Sequence, residues 1–369
     1  MRTWKNSIVL AVPLVFVTCL AVQGGPYTER GICSHIYPNR APANPMDPNA
    51  VVNPIFRGWA SGVASYQPTP QYIQPWWMDP NMALGESWGN TAPEYYIYDV
   101  VSLGDLSQED IDAGVPPGQI TLSFDGPILN GKGYDFAVFE NGMGPLCGGF
   151  NWCELGYVEV STNGLDFARF PSVSLVPYDS GSCRIPDLRC IDITDVYNLA
   201  GKHLNVWGEF ASGEDITGTP FDLSDLANES NVLNGSIDLN NINYVRIVDI
   251  PGSGDFFDDA THYIDPCTGH NYPVNHPIYD PWVTFGSGGF DLDAIGVLKS
   301  QEYSSDINLD GIVDISDLYI FTTAWLSKFG DDNYYARCDL AEPKDYIINM
   351  LDYAVFANQW LKVEQWRSQ

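Results

Sequence analysis

Between Asp306 and Asp317 the chain reads Asp-Ile-Asn-Leu-Asp-Gly-Ile-Val-Asp-Ile-Ser-Asp. Side chains that offer oxygen stand at loop positions 1, 3, 5, 9 and 12: Asp306, Asn308, Asp310, Asp314 and Asp317. Gly311 at position 6 permits a sharp turn, and Ile312 at position 7 can present its backbone carbonyl. Oxygen donors in this order suit a hard divalent cation, and the spacing is that of an EF-hand-type calcium loop with Asp in place of Glu at position 12. A polar turn capping a helix would use the same residue types but does not require six matching places.

The segment recurs. Asp317-Leu318-Tyr319-Ile320-Phe321 with Trp325-Leu326 returns 35 residues later as Asp352-Tyr353-Ala354-Val355-Phe356 with Trp360-Leu361. Leu318, Phe321 and Trp325, then Tyr353, Phe356 and Trp360, fall at helical spacing, so each repeat is expected to be an acidic loop followed by an amphipathic helix. Counting back from Asp352 puts Asn349 at position 9, the Ile347 carbonyl at position 7 and Asp345 at position 5. Positions 6, 3 and 1 are then Tyr346, Pro343 and Ala341, so the first loop is expected to dominate, with Asp339 or Glu342 entering the second only through a rearranged loop. The loop, its Asp at position 12 and the duplication resemble dockerin type I. That resemblance implies that residues 306–363 form a small all-α, Ca²⁺-dependent module that plugs into a cohesin-type protein.

The rest of the chain has to carry this segment. Period-two patterns run through Gln119–Phe124, Tyr134–Glu140, Tyr157–Ser161 and Tyr244–Asp249, and Thr162-Asn163-Gly164 marks a hairpin turn. Helical patterns do not alternate with these strands, which argues against a parallel α/β sheet and for a β-sandwich over residues 51–299. Val158–Phe167 resembles a hairpin of discoidin-like domains, Tyr244–Asp249 their later core strand, and Gly289–Ile295 the closing strand of galactose-binding-like jelly rolls. The whole stretch is similar to bacterial cell-surface proteins. The fold expected is therefore mainly β, a jelly-roll sandwich, with residues 25–50 as an N-terminal extension and 300–305 as a linker. The jelly-roll resemblance further implies a structural Ca²⁺ on the closing strand, with Asp293 as its best-placed ligand.

Two loop tryptophans, Trp152 and Trp282, are candidates for stacking on a sugar ring. Cysteines close in sequence suggest local disulfides Cys147–Cys153 and Cys183–Cys190 in an oxidising compartment. That compartment follows from the start of the chain: Arg2 and Lys5, an apolar run from Ile8 to Val22, then Gly24-Gly25, the layout of a secretory signal peptide over residues 1–24. Later residues contain no apolar run long enough to span a membrane.

A net charge of −30 repels nucleic-acid phosphates and anionic lipid, and attracts cations. No phosphate-binding loop or dinucleotide fingerprint occurs. The expectation is a secreted or cell-surface bacterial binding protein, non-catalytic and glycan-related, docked through its tail. The alternatives are a polysaccharide-active hydrolase or lyase carrying a dockerin, and a structural surface-layer component.

Overall fold

The computed structural model describes residues 25–363 apart from 38–41, 46, 71–72, 91–97, 148–149, 177–189, 206–215, 260–262, 265–270, 273, 283–287, 301–302, 309–310 and 342–343. The expected signal peptide, and Cys183 and Asp310, lie outside the described residues. No helix among the described residues is long and apolar enough to cross a membrane.

The chain is mostly β. In order it forms β1 (Ile32–Cys33), β2 (Gly58–Trp59), β3 (Gly62–Gln67), β4 (Val101–Ser102), β5 (Gln119–Ile128), β6 (Phe136–Glu140), β7 (Gly156–Ser161), β8 (Ala168–Arg169), β9 (Thr217–Phe221), β10 (Ile242–Asp249) and β11 (Asp291–Val297), then α1 (Ile315–Thr323) and α2 (Met350–Gln359). One antiparallel sheet has the order β8-β7-β10-β5-β3. The other runs β1-β9-β6-β11-β2, with β4 also on β11, and is antiparallel throughout. From β2 to β11 the chain changes sheet at nearly every step; β7 and β8 are the exception, joined by the expected hairpin with Gly164 at φ 75°.

Alternation explains one sheet and continuous burial the other. In β5 and β10, Ile120, Leu122, Val245 and Ile247 point to a core shared with Phe136, Val138, Leu292 and Ile295 of the second sheet. On the outer side of the first sheet Glu159 of β7 accepts from Arg169 at 2.8 Å and Arg246 at 3.1 Å, a cross-strand ladder in which the two partly exposed arginines cover the buried carboxylate. β6 is buried on both faces. Its Ala137 and Phe139 pack beneath Phe56 and Trp59, with ring centroids 5.7 Å apart for Phe139 and each of them. A strand covered on both sides has no polar alternation, which is why Phe136-Ala137-Val138-Phe139 reads as an unbroken apolar run. The strand begins at Phe136, not at the expected Tyr134, because the Asp135 carboxylate turns inward to hold loops.

The expected Cys147–Cys153 disulfide is not formed. Cys153 keeps its thiol, fully buried, with Sγ donating to the Lys202 carbonyl at 3.9 Å. Its side chain belongs to a second apolar cluster with Leu155, Val196 and Leu204, so it turns into the core. Cys190 is disulfide-bonded.

Several acids are buried in the β portion. Asp135 accepts from the Gly131 and Leu223 amides at 2.8 and 2.7 Å. Desolvation nevertheless pushes its carboxyl up to about 8. Glu140 and Asp249 are raised well above the usual carboxylate range, first by burial and then by the charges of Asp291 for Glu140 and Asp105 for Asp249. A raised folded-state pKa means the native chain holds more protons than the unfolded one, so stability falls as pH rises through that window. The thermal midpoint is therefore expected to drop between pH 5 and pH 8, and Asp135→Asn to flatten that slope. Calorimetric melts across that range check it, and a midpoint that climbs with pH would refute it.

Candidate metal centre

The two tail loops close in the same way, hydrogen bond for hydrogen bond. In the first, Asp306 Oδ2 accepts from the Gly311 amide at 2.8 Å. Asp317 Oδ1 accepts from the Ile307 and Asn308 amides at 2.7 and 3.0 Å, and its Oδ2 from the Asp314 amide at 2.9 Å. In the second, Asp339 Oδ2 accepts from the Tyr346 amide at 3.1 Å. Asp352 Oδ1 accepts from the Leu340 and Ala341 amides at 2.6 and 2.9 Å, and its Oδ2 from the Asn349 amide at 2.8 Å. Asp314 and Asn349 are the N-caps of α1 and α2, each completing a capping box with the Asp three residues on.

This equivalence corrects the count made from Asp352. Asp339, not Ala341, holds the place of Asp306, and the second loop carries two extra residues before Asp345. Tyr346 adopts φ 61° where Gly311 has φ 85°, so a side chain occupies the left-handed turn that usually favours glycine. The signal was present as an offset of 33 residues that matches Asp306-Ile307 to Asp339-Leu340, masked by the longer match at 35.

Asp339, Asp345 and Asp352 each bring a carboxylate oxygen within 4.8 Å of the other two, the one such group of three among the described residues. Asp339 Oδ1 is buried without a hydrogen-bond partner. Three carboxylates, one with an orphaned buried oxygen, form a donor set that fits a hard divalent cation. Burial and the charge of Asp352 push the Cys338 thiol up to about 12 beside them. Asn349, expected as a ligand, donates from Nδ2 to Asp345 at 3.0 Å and to the Ile347 carbonyl at 2.9 Å, linking both expected partners. Lys344 Nζ donates to the Asp339 carbonyl, placing an ammonium at the loop. In the first loop Asp306 and Asp317 are fully buried.

The two repeats are joined by backbone bonds that cross from each loop to the end of the other helix. Val313 exchanges bonds with the chain after α2: its amide reaches the Lys362 carbonyl at 2.9 Å, and the Leu361 amide reaches its carbonyl at 2.8 Å. Ile348 does the same with Ser327 and Leu326 after α1, both at 2.9 Å. Leu326 and Leu361 share φ 61° at these crossings. Between the helices Phe321 stacks on Phe356 at 5.3 Å, and Phe321 and Trp325 both meet Tyr353.

The other expected site residues fall elsewhere. Asp293 is a buried anchor: its carboxylate accepts from Ser87 at 2.7 Å, from the Trp88 amide at 3.3 Å and from Asn205. Trp282 is half-buried and donates from Nε1 to the Leu106 carbonyl at 2.8 Å. Trp152 is half-buried, with its Nε1 buried. One aromatic cluster that reaches the surface of the β portion is Trp76, Trp77 and Tyr98, with centroids 5.7 to 6.2 Å apart, Trp76 51% exposed and the other two half-buried. Comparison of the chain with known protein families, with curated proteins and with solved structures finds no match.

If the three carboxylates act together, removing one must be felt in cation binding. Asp352→Ala is expected to remove one binding event from a calorimetric Ca²⁺ titration of the full chain, and Asp339→Ala to weaken the same event by about tenfold or more. Unchanged isotherms for both variants would exclude the second loop.

Proposed function

We propose that this chain is a secreted or cell-surface protein whose jelly-roll β-sandwich binds a neutral glycan and whose C-terminal segment is a dockerin-like module held by Ca²⁺. The observation that carries the reading is the bond-for-bond equivalence of the two tail loops, each closed by an Asp at position 1 and an Asp at position 12. Without a cation those acids repel one another across a short loop, and the two short helices are marginal alone. With Ca²⁺ the oxygens are neutralised, and binding energy becomes folding energy. Asp339, Asp345 and Asp352 hold one ion, and Asp306, Asn308, Asp310, Asp314 and Asp317 with the Ile312 carbonyl hold the other.

The change of sheet at nearly every strand and the core shared between two antiparallel sheets support the jelly-roll reading. The ligand face moves from Trp152 and Trp282 to Trp76, Trp77 and Tyr98. Trp76 stands at 68° to Trp77, whereas Tyr98 lies within 28° of it, so the rings form a corner that can meet a pyranose ring on a face and an edge. The −30 charge selects neutral over anionic glycans. An apolar cleft of about 240 Å³ between α1 and α2, lined by Leu318, Phe321, Trp325, Met350 and Tyr353, is the face offered to a cohesin-type partner.

A hydrolase needs two carboxylates across a cleft. Neither this cleft nor the two others described, beside Asn240 and Arg337 and beside His203, is lined by a pair of carboxylates.

Two experiments test the halves separately. Chelation is expected to melt the tail, seen as loss of helical circular dichroism in the full chain, while the β portion stays folded. Equal helicity in chelator and in millimolar Ca²⁺ would remove the docking mechanism. Trp76→Ala is expected to lower retention on neutral polysaccharides by roughly tenfold with an unchanged melting temperature, whereas Trp282→Ala costs about 2–4 kcal/mol of stability. Retention untouched by Trp76→Ala would move the ligand face elsewhere.

A further inference from the structure

Residues 25–33 run as a strap along one edge of the β portion, and the strap begins in a polar seat. The Gly25 nitrogen donates to Thr194 Oγ1, which itself donates to Asp192 Oδ1 at 2.6 Å. A Cβ on Gly25 would collide with the Thr194 carbonyl and with Asp195 Oδ1, so glycine fits here and larger residues do not. These contacts and standard bond lengths keep the Gly25 nitrogen within about 5 Å of both carboxylates. The seat is a single turn, Ile193–Asp195, with Asp192 as its N-cap accepting the Thr194 amide at 2.9 Å. Further along the strap the Tyr27 amide meets the Thr194 carbonyl at 2.9 Å, and the Tyr27 ring stacks on Tyr197 at 5.1 Å. Buried Lys202 donates from Nζ to the Tyr27 carbonyl at 3.0 Å and to Glu29. The strap then pairs with β9 through Ile32 and Cys33, and it walls a cleft of about 450 Å³ whose lining includes Tyr27, Glu29 and Thr194.

We propose, on the reading of residues 1–24 as a removable signal peptide, that the α-ammonium of Gly25 is the cation of this seat. Its ion pair with Asp192 and Asp195 fixes the strap and so completes the wall of the cleft. The sequence and the structure meet at one atom: the nitrogen held in the seat belongs to the residue that follows the small Gly24, where the leader is expected to be cut. Before cleavage that nitrogen is a neutral amide with one hydrogen, which the Thr194 hydroxyl accepts. Hydrolysis of the Gly24–Gly25 bond gives water's oxygen to the Gly24 carboxylate and leaves an amine, which takes up a proton at neutral pH. The ammonium has three N–H donors and a full charge. One donor stays on Thr194, and two remain for the carboxylates, as charge-assisted bonds. In a chain of net charge −30, a cation held between two half-buried acids offsets repulsion that a neutral amide leaves in place.

The other charged and titratable groups around the strap are engaged elsewhere. Lys202 feels the charge of Asp192, but its Nζ bonds go to Tyr27 and Glu29. The Tyr197 hydroxyl donates to Asp225 Oδ2 at 2.8 Å, and Arg30 is exposed. A plain amide hydrogen bond at Gly25 would leave the strap indifferent to charge there. An ion pair instead raises the amine above its ordinary pKa of about 8. Its stabilisation is then complete below about pH 8 and is lost as pH rises through the raised value.

The test compares the chain that begins at Gly25 with one that begins at Ala21, each with and without Asp195→Asn. At pH 7 the Gly25 chain is expected to melt about 2 °C higher, and the difference to vanish by about pH 10. Asp195→Asn should lower the melting temperature more in the Gly25 chain than in the Ala21 chain, a coupling that a purely structural Asp195 does not produce. The Gly25 amine should be acylated by acetic anhydride about tenfold more slowly at pH 7 than the Ala21 amine, and should regain speed in Asp195→Asn. Equal melting of the two chains, an equal effect of Asp195→Asn in both, or equal amine reactivity would overturn the ion pair. Mass spectrometry of the chain exported behind its own leader tests the underlying reading separately. A mature chain that starts at Gly25 supports the assignment, and one that starts elsewhere or keeps the leader overturns it, whatever the melts show.

Discussion

Backbone amides outside regular structure need acceptors, and in this chain buried aspartates supply many of them. Asp280 takes the Leu155 amide, Asp249 that of Phe290, and Asp258 those of Ser174 and His276. Asp135 and Asp293 gather loops onto β6 and β11, and the tail aspartates do the same within each repeat. A carboxyl group can accept several bonds at once through its two oxygens. A fold of many short strands and long connections can be fastened this way with little helix.

The same device carries an electrostatic load. Burial favours the protonated form of such a group: it pushes Asp135 up to about 8 and raises Glu140 and Asp249 well above the usual carboxylate range. In the tail the acids crowd instead around one point, where a cation can offset them. Negative charge thus has two fates here: proton uptake inside the β portion, and cation recruitment at its end.

How much of this was legible beforehand depended on the range of the signal. The period-two runs around Gln119–Phe124 and Tyr244–Asp249 lie within single strands, and both fall in strands of the first sheet. The Asn163-Gly164 turn and the stripes through Phe321 and Phe356 are equally local, and both took the expected form. What failed was long-range or indel-dependent. Trp282 cannot be told from an exposed aromatic until its Nε1 is seen to meet Leu106, 176 residues away. The Cys147–Cys153 proximity in sequence lost to a core that faces Cys153 inward. Asp339 was named from sequence only as one of two residues a rearranged loop could bring in; two inserted residues kept the fixed-length count from assigning it the first position. Asp293 was singled out for its carboxylate; Ser87 and Asn205, which engage it, lie far off in the chain.

The crossed bonding of the tail bears on its ancestry. Val313 completes its hydrogen bonds with Leu361 and Lys362, and Ile348 with Leu326 and Ser327, so each repeat is finished by residues of the other. A lone repeat would leave these groups unmet unless a second copy supplied them. The smallest self-sufficient form of such a unit is a twofold pair, and the present segment is that pair written into one chain, its symmetry still visible in two leucines that share a left-handed backbone.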